Sequence, residues 1–472
     1  MSFEANARIA VEALADHLAR SRSRQEPVIR QRPLRELAAT LDLERLLAEG
    51  GLDGEPFRRF LGRYLDATTR LHHPGYMAHQ VATPHPMGAL GALVDGFTNN
   101  AMAIYEMGPA AVAIEFVVLN WMLGKAGFVP APLPPCAPSA EPHGGGVLTH
   151  GGSLANLTAL LAARSRADPD AWERGPRPDL VVVAPETAHY SIARAVGMLG
   201  LGRRSLRAAP ADADGRIVPD RLPGLLRSLA EQGKTAMAVV ASACSTAAGL
   251  YDPLRETALA CRERGVWLHV DGAHGASALL SGRLRHHLAG VELADSLVWD
   301  AHKMLRAPTL CAAVLARDHR DLDRAFQQEA SYLFHDKDQP GVDFLGRTVE
   351  CTKAALGLRL FLVLAAEGEG AAARFVERQV ELARAAAARL RGEPGVEVAA
   401  EPESNIVCFR VQGDDALQLE LRRRLLERGR HYLSSTTFRG QRWLRLALMN
   451  PETELADVER LLEELRGLQG GA

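Results

Sequence analysis

The spacing of hydrophobic residues predicts helices in the first quarter of the chain. Over residues 1–70 the apolar side chains recur every three or four positions, as they do on one face of a helix. Residues 86–127 are more apolar and have the same helical period. The Pro- and Gly-rich stretch Pro130–Gly146 is typical of a loop, and the pattern changes after it.

Short β-rich runs then alternate with helical runs, which predicts an α/β domain whose mostly parallel sheet is covered on both faces. The predicted strands are Val147–Thr149, Leu180–Ala184, Ala236–Ser242, Val266–Val270, Ser296–Trp299 and Cys311–Ala316. From about residue 352, long helices precede short strands at Ile406–Val411 and Trp443–Leu448 and a last helix at Leu455–Leu465. We therefore expect an N-terminal helical segment (1–75), a large α/β domain (76–350) and a small α+β domain (351–472).

Composition excludes several classes of partner. The 472 residues carry 55 Lys and Arg against 57 Asp and Glu, a net charge of −2, which argues against nucleic acid or a membrane surface as the partner. Six cysteines are scattered without a CxxC pair, which is typical of reduced core thiols. The N-terminus lacks the apolar region of a signal peptide, and no uninterrupted apolar run would span a membrane, so we expect a cytoplasmic protein.

An acid and an amine stand at the ends of two predicted strands. The strand Val266–Val270 leads to Asp271, and the strand Ser296–Trp299 leads to Lys303, which follows the acid by 303 − 271 = 32 residues. Ligands of parallel sheets bind where strands deliver their carboxyl ends. For either residue alone, an Asp-Gly turn or a solvated lysine is the commoner explanation. The adjacent pairs His72-His73 and His286-His287 have no partners at ligand spacing, so we expect no metal site.

Four motifs in a fixed order surround this pair. They are Gly146–Thr158 with a Gly-Gly-Ser turn, Ala188–Ile192, Ser245–Pro253, and Asp271–Gly275 followed by Asp295–Met304. Together they resemble the group II decarboxylases that depend on pyridoxal 5'-phosphate (PLP), such as the glutamate, aromatic-amino-acid, diaminobutyrate and sulfinoalanine decarboxylases. The resemblance extends from about His73 to Leu465 and implies PLP as cofactor, on the transferase fold of type I.

The resemblance implies how the pair would hold the cofactor. Lys303 would form a Schiff base with the PLP aldehyde, and Asp271 would keep the pyridine nitrogen protonated so that the ring accepts electrons. Small Gly272 and Ala273 would let the flat ring lie against the strand. The Gly-rich turn would place Gly152 and Ser153 on the phosphate, because glycines and helix N-termini suit anions. Without the other motifs, Ser153 would be interpreted as an ordinary helix N-cap.

Further residues receive roles from the same resemblance. His189 would stack on the ring and assist proton transfer, and Thr246 would contact the cofactor. His302 would reach the phosphate, with Asp300 as the alternative. Asp252-Pro253 would only start the next helix.

The resemblance implies that the substrate is a small molecule, an L-amino acid. His79 and Gln80 are predicted to line the pocket, and Arg445 is predicted to bind a substrate carboxylate, since its guanidinium pairs bidentately with one. The family also implies a homodimer with active sites at the interface. Which amino acid is the substrate stays open.

The chain departs from the family in one segment. Residues 332–348 form a short stretch where the family has a long loop with a tyrosine that protonates the α-carbon, and no tyrosine lies between Phe334 and Thr348. Either His189 or a group of a second subunit supplies this proton, or the reaction takes another course, such as oxidative deamination to an aldehyde, transamination or other chemistry at the α- or β-carbon. Intact Asp271, Lys303 and the Gly-rich turn disfavour a non-catalytic role.

Overall fold

The computed structural model describes residues 2–132, 142–326 and 341–469, so part of the predicted loop Pro130–Gly146 lies outside it. The chain forms two compact units, one of residues 1–83 with 381–472 and one of residues 84–380. This division differs from the expected boundaries at 75 and 350. Residues 76–83 belong to the unit that contains the C-terminus, and residues 351–380 belong to the unit with the large sheet.

The α-helices confirm the helical stretches of the sequence. They are α1 (Phe3–Arg22), α2 (Leu34–Thr40), α3 (Leu43–Glu49), α4 (Glu55–Ala67), α5 (Pro86–Thr98), α6 (Pro109–Ala126), α7 (Gly152–Ala167), α8 (Ala171–Arg174), α9 (Tyr190–Met198), α10 (Leu222–Glu231), α11 (Leu254–Arg262), α12 (His319–Ala325), α13 (Leu356–Glu367), α14 (Glu369–Arg391), α15 (Asp415–Arg428) and α16 (Leu455–Gln469). Short 3-10 helices occur at Tyr105–Met107, Arg203–Ser205, Pro219–Arg221, Gly275–Leu280, Arg285–Leu288, Val291–Leu293 and Phe344–Arg347.

The strands form two sheets. They are β1 (Tyr76–Met77), β2 (Gly145–Thr149), β3 (Leu180–Ala184), β4 (Leu206–Ala208), β5 (Thr235–Ser242), β6 (Trp267–Asp271), β7 (Ser296–Asp300), β8 (Ala312–Ala316), β9 (Val396–Val398), β10 (Ile406–Val411), β11 (Tyr432–Phe438) and β12 (Gln441–Ala447). All six predicted strands of the large sheet exist, with ends displaced by no more than two residues. The short strand β4 was not predicted.

The large sheet has the strand order β2-β8-β7-β6-β5-β3-β4. Strands β7, β6, β5, β3 and β4 are parallel, and β8 is antiparallel to both of its neighbours, β7 and β2. Because two reversals restore the direction, β2 runs the same way as β7. The carboxyl ends of β2, β3, β5, β6 and β7 therefore lie along one edge. Every residue of β2, β3, β6, β7 and β8 is buried, which explains their mostly apolar sequences.

The other unit holds a five-stranded sheet in the order β1-β11-β12-β10-β9. Strand β1 is parallel to β11, and the remaining pairs are antiparallel. Its core joins apolar side chains of α14, α15 and α16 to β10 and β12. The sequence did not predict α15, β1, β9 or β11. Helix α15 is rich in charge and β11 contains Ser434–Thr437, so neither carries a strong hydrophobic period.

Helix α6 is long and apolar enough to cross a bilayer, judged by length and composition alone, but half of that window is buried inside the protein. It also carries Glu115, which forms an ion pair with Lys353, and neither side chain is exposed to solvent. The second oxygen of Glu115 accepts a hydrogen bond of 2.9 Å from the backbone N–H of Leu148 in β2. Burial raises the pKa of Glu115, and Lys353 opposes that shift. The pair thus ties α6 to β2, next to the Gly-rich turn.

Removing only the cation of this pair should destabilise the protein strongly, because an uncompensated carboxylate stays buried. We expect Lys353→Met to lower the free energy of unfolding by about 3–5 kcal/mol, measured by urea denaturation. The double variant Glu115→Gln with Lys353→Met keeps an acceptor for Leu148 and should recover most of the loss. The exposed ion pair of Arg174 provides the control, since Arg174→Met should cost less than about 1 kcal/mol. A loss below about 1 kcal/mol for Lys353→Met would contradict the assignment.

Candidate active site

The predicted cofactor residues gather at one edge of the large sheet, since each follows a strand that ends there. Gly152 and Ser153 follow β2, His189 follows β3, Thr246 follows β5, Asp271 ends β6, and Asp300 ends β7 just before His302 and Lys303. The parallel topology alone brings these residues together from positions up to 151 apart in the sequence (303 − 152).

Asp271 is held at the end of β6 by two hydrogen bonds. Asn156 of α7 donates from Nδ2 to Oδ2 over 3.0 Å, and the backbone N–H of Ala273 donates to Oδ1 over 3.2 Å. The residue is only 8% exposed. Gly272 is small for a reason that the sequence did not reveal. A Cβ there would lie 2.8 Å from Cδ1 of Leu297 and 2.9 Å from the carbonyl of Val298, so its size serves the packing of β6 on β7.

Lys303 has a carboxylate as its neighbour. Its Nζ lies 3.2 Å from Oδ2 of Asp300, which is almost fully buried. His302 donates from Nδ1 to the carbonyl of Cys311 over 2.8 Å, and its Nε2 lies 3.6 Å from the same Asp300 oxygen. Because the amine of Lys303 lies directly beside the carboxyl group of Asp300, this geometry suits Asp300 as the counter-ion of Lys303 better than as an alternative to His302 at the phosphate. The role of His302 at the phosphate stays a prediction.

The Gly-rich turn lies directly against Asp300. Gly151 has φ +100°, in the region that favours glycine, and a Cβ on Gly152 would lie 2.7 Å from Oδ2 of Asp300. Helix α7 begins at Gly152 with Gly151 as its N-cap, and no side chain caps it. Ser153 is therefore not the N-cap. The first N–H groups of α7 and the hydroxyl of Ser153 form an N-terminus that suits an anion.

His189 caps helix α9. Its Nδ1 accepts a hydrogen bond of 3.3 Å from the backbone N–H of Ser191 and lies 2.7 Å from the Ser191 hydroxyl. Burial lowers the pKa of the imidazole, and Asp271 acts in the opposite direction. The His189 side chain is thus the N-cap of α9, as expected for a lone histidine before a helix. It is also close enough to Asp271 for the charge of that carboxylate to affect its pKa.

The turn that carries Thr246 is bound to the Asp271 segment. The N–H of Ala243 donates to the carbonyl of Asp271 over 2.8 Å, and the N–H of Gly275 donates to the carbonyl of Ala243 over 2.9 Å. Thr246 is exposed at this edge. Asp252 does more than start a helix, which was the expectation. Its carboxylate accepts from the N–H groups of Ser242 and Ile217, and burial raises its pKa to about 6.

The three predicted substrate residues belong to the other compact unit, where two segments meet. Arg445 of β12 is buried and donates from Nη1 to the carbonyl of Ala78 over 3.3 Å. The next residue, His79, makes a 3.0 Å hydrogen bond to the hydroxyl of Tyr432. Partial burial, and then the charges of Arg445 and Arg422, lower the pKa of His79. Gln80 follows in the same segment and is partly buried.

Sequence reasoning overlooked the residues that support Asp271. Asn156 lies inside the Gly-rich motif. His269 precedes Asp271 by two positions, so the side chains of His269 and Asp271 lie on the same face of β6. His269 is fully buried, and its Nε2 lies 2.9 Å from Oδ1 of Asn156. The available signal was a polar residue at the third position of β6, between the apolar residues Leu268 and Val270.

The segment that departs from the family is only partly described. Residues 332–340, with Tyr332, lie outside the described residues, and Phe344–Arg347 forms a 3-10 helix. The source of the α-carbon proton therefore stays a prediction. Within the described ranges, no three His, Cys, Asp or Glu side chains group as metal ligands.

The residues at this edge fit PLP. The site offers an amine for the PLP aldehyde and a hydrogen-bonded carboxylate for the pyridine nitrogen. It also offers the N-terminus of a helix that begins with glycines for the phosphate. When bound, PLP supplies an electron sink for the bond that breaks at the substrate α-carbon. Lys303 would hold the aldehyde carbon, Asp271 the ring nitrogen, and Gly152 and Ser153 the phosphate.

This arrangement defines a PLP-dependent enzyme of fold type I, and comparison with known proteins gives its family. Residues 66–412 match the model of the pyridoxal-dependent decarboxylase conserved domain. Cysteine sulfinic acid decarboxylase of Mus musculus is 29% identical over 97% of this chain and 96% of its own. The acidic amino acid decarboxylase GADL1 of Bos taurus is 28% identical over 93% of this chain and 86% of its own.

A solved structure agrees with these relatives. The crystal structure of mouse CSAD in apo form has a TM-score of 0.87 and 27% identity, and covers 98% of each chain. The chain belongs to the group II family of pyridoxal-dependent decarboxylases. It is a PLP-dependent carboxy-lyase that acts on an amino acid, and the predictions of fold class, cofactor and decarboxylation are confirmed.

The buried His269 should make stability depend on pH. Burial lowers its pKa to about 4, so between pH 4 and 6.5 the unfolded chain binds a proton that the folded protein does not. The contribution of neutral His269 to the free energy of unfolding is complete above pH 6.5 and is lost as the pH falls towards 4. Lowering the pH from about 7.5 to about 4.5 should cost wild type roughly 2–3 kcal/mol of unfolding free energy more than it costs His269→Gln, measured by urea denaturation.

The exposed residue His286 provides the matched control. His286→Gln should follow wild type at both pH values. If His269→Gln lost as much stability as wild type on acidification, His269 would not be buried in its neutral form.

Proposed function

We propose that the enzyme decarboxylates a small acidic α-amino acid. The observation that carries the proposal is the buried guanidinium of Arg445, which lies beside the Ala78–His79 segment. The relatives named as decarboxylases of cysteine sulfinic acid and of acidic amino acids support the same substrate class.

The charges around Arg445 favour an anionic partner. Partial burial is the main cause that lowers the pKa of His79, and the positive charges of Arg445 and Arg422 act in the same direction, so both charges are felt at this segment. The carbonyl of Ala78 and the hydroxyl of Ser434 each lie 3.3 Å from Nη1 of Arg445, and neither of these two groups carries a charge. Every amino acid carries an α-carboxylate, and an acidic substrate supplies a second negative group that a neutral or aromatic substrate lacks.

A panel of amino acids with matched shapes tests the proposal. Carbon dioxide release should be at least about tenfold faster, as kcat/KM, with L-aspartate, L-cysteine sulfinate or L-glutamate than with L-asparagine, L-glutamine or aromatic amino acids. Arg445→Met should lower kcat/KM for the preferred acid by about tenfold to a hundredfold, since a charge-assisted hydrogen bond is lost.

Two variants are matched controls for that measurement. Arg442→Met changes an arginine three positions away on β12, whose side chain points to the other face of the sheet, and should leave kcat/KM unchanged. Lys303→Ala should abolish turnover of every amino acid. Faster decarboxylation of an amide or an aromatic amino acid than of any acid would overturn the substrate proposal and leave the reaction class intact.

We also infer that the enzyme is a homodimer whose interface includes α5. Leu90, Leu93, Val94 and Phe97 recur at helical spacing along α5, and each is 46–66% exposed. A stripe of this kind is typical of a surface that another chain covers. A second copy of this chain is the occupant that the family suggests.

Light scattering coupled to size exclusion tests the dimer. Wild type should elute with about twice the 51.0 kDa mass of the chain, and Phe97→Asp should shift the population towards monomer at micromolar concentration. Leu259→Asp alters an exposed leucine of α11 outside the stripe and should leave the dimer intact. A monomeric wild type would contradict the inference.

Cysteine chemistry supports a reducing compartment, and we infer the cytoplasm. Cys244, Cys261, Cys311 and Cys408 are buried, Cys351 is exposed, and none of these five cysteines forms a disulfide. Cys136 lies outside the described residues. Unpaired thiols in these numbers are typical of intracellular enzymes.

A further inference from the structure

A chain of hydrogen bonds connects Asp271 to His189 through the interior of the large-sheet unit. Asn156 of α7 is its centre and is 1% exposed. Its Nδ2 lies 3.0 Å from Oδ2 of Asp271 and 2.9 Å from Oγ of Ser191, and Ser191 Oγ lies 2.7 Å from Nδ1 of His189. On the other side, Oδ1 of Asn156 lies 2.9 Å from Nε2 of His269.

The charge of Asp271 determines the orientation of the Asn156 amide. A carboxylate offers only acceptors, so the NH₂ group of Asn156 must face it and the amide oxygen must face His269. His269 then carries its proton on Nε2, and its Nδ1 accepts from the hydroxyl of Ser296 over 2.8 Å. The indole N–H of Trp267 donates to the same Ser296 oxygen over 2.9 Å, which leaves the hydroxyl proton of Ser296 for His269. Each donor in this branch meets an acceptor.

The other branch orients His189 by the same logic. The second N–H of Asn156 donates to Oγ of Ser191, which leaves the Ser191 hydroxyl proton to donate to Nδ1 of His189. The backbone N–H of Ser191 also points at this nitrogen, over 3.3 Å. Burial lowers the pKa of His189, so the ring carries one proton near pH 7, and that proton is excluded from Nδ1.

We propose that Asn156 is a positioning residue that couples Asp271 to His189, so that His189 presents a neutral Nε2–H group as a hydrogen-bond donor at the cofactor edge. With Nδ1 occupied by two donors and Nε2 protonated, the ring cannot accept a proton from the substrate. Full transfer of the Nε2 proton would leave an anionic imidazole, so the role assigned is hydrogen bonding, and the proton for the α-carbon comes from another group. The inference concerns the cofactor side of the site and does not depend on which acid is the substrate.

The position of the proton can be observed directly. Protein labelled with ¹⁵N in its histidine rings, studied without and with PLP, should show His189 protonated at Nε2 and bare at Nδ1, with its signals assigned by their loss in His189→Gln. Ser191→Ala removes the hydroxyl donor and should give His189 a measurable population protonated at Nδ1, whereas Ser191→Thr restores the hydroxyl and should restore the wild-type spectrum. A wild-type His189 protonated at Nδ1 would overturn the proposal.

Cofactor binding separates the two branches without using activity. Asn156→Asp replaces the donor to Asp271 with a like charge, so the Kd of the cofactor-free protein for PLP should rise by about tenfold or more, measured by titration of the PLP absorbance. Ser191→Ala leaves the bond between Asn156 and Asp271 in place, so its Kd should stay within about threefold of wild type. With the preferred acid as substrate, Ser191→Ala should lower kcat by about tenfold at a nearly unchanged KM.

Thr158→Val is the matched control on the same helix. Thr158 is fully buried, and within the described residues its hydroxyl makes no hydrogen bond, so this variant should keep the wild-type Kd, kcat and histidine spectrum. Circular dichroism shows whether Asn156→Asp folds, and if it does not, the spectra of Ser191→Ala and Ser191→Thr decide the proposal. Wild-type PLP affinity in folded Asn156→Asp would overturn the coupling.

Discussion

The direction of five strands is the constraint on which this site depends. Strands β2, β3, β5, β6 and β7 all deliver their carboxyl ends to one edge of the sheet, although β2 is reached through the antiparallel strand β8. Each of these strands is then followed by a short turn that carries one part of the cofactor chemistry. A reversal of any one of them would send its residue to the opposite edge, more than a strand length away.

Both carboxylates at this edge have partners inside the protein. Asp271 is satisfied by Asn156 and the Ala273 amide, and Asp300 faces Lys303 and His302. The two carboxylates therefore have different neighbours. Asp300 lies beside the amine of Lys303, and hydrogen bonds from α7 and from the turn after β6 keep Asp271 in place. A buried carboxylate without such partners would take up a proton and lose its function. Glu115 likewise has a partner in Lys353, and this fully buried pair ties α6 to the strand before the Gly-rich turn.

The substrate residues depend on a different sheet. The parallel pairing of β1 with β11 aligns Met77 with Leu433, so that Ala78 lies beside Ser434 and Arg445. A two-residue strand has little stability by itself, and its position depends on pairing with β11 and on the buried side chains of Tyr76 and Met77. The binding of an anionic group that we propose for Arg445 thus rests on a short contact between segments more than 350 residues apart (445 − 78 = 367).

The sequence alone determined the order of strands and helices, the mostly parallel sheet and the identity of the acid and the amine, because buried strands are continuously apolar and the residues after them are not. Asp271 and Lys303 could be named since each follows such a strand. The sequence did not reveal that Asp300 lies 3.2 Å from the amine of Lys303, that Gly272 serves strand packing, or that Asn156 contacts both Asp271 and His269. These contacts depend on which atoms of α7, β6 and β7 face each other. Hydrogen bonds between distant segments leave no repeating pattern in the sequence, so the sequence could not predict them. Helix α15 and strand β11 escaped prediction for a related reason, since only packing in the small sheet gives their charged and polar residues a fixed place.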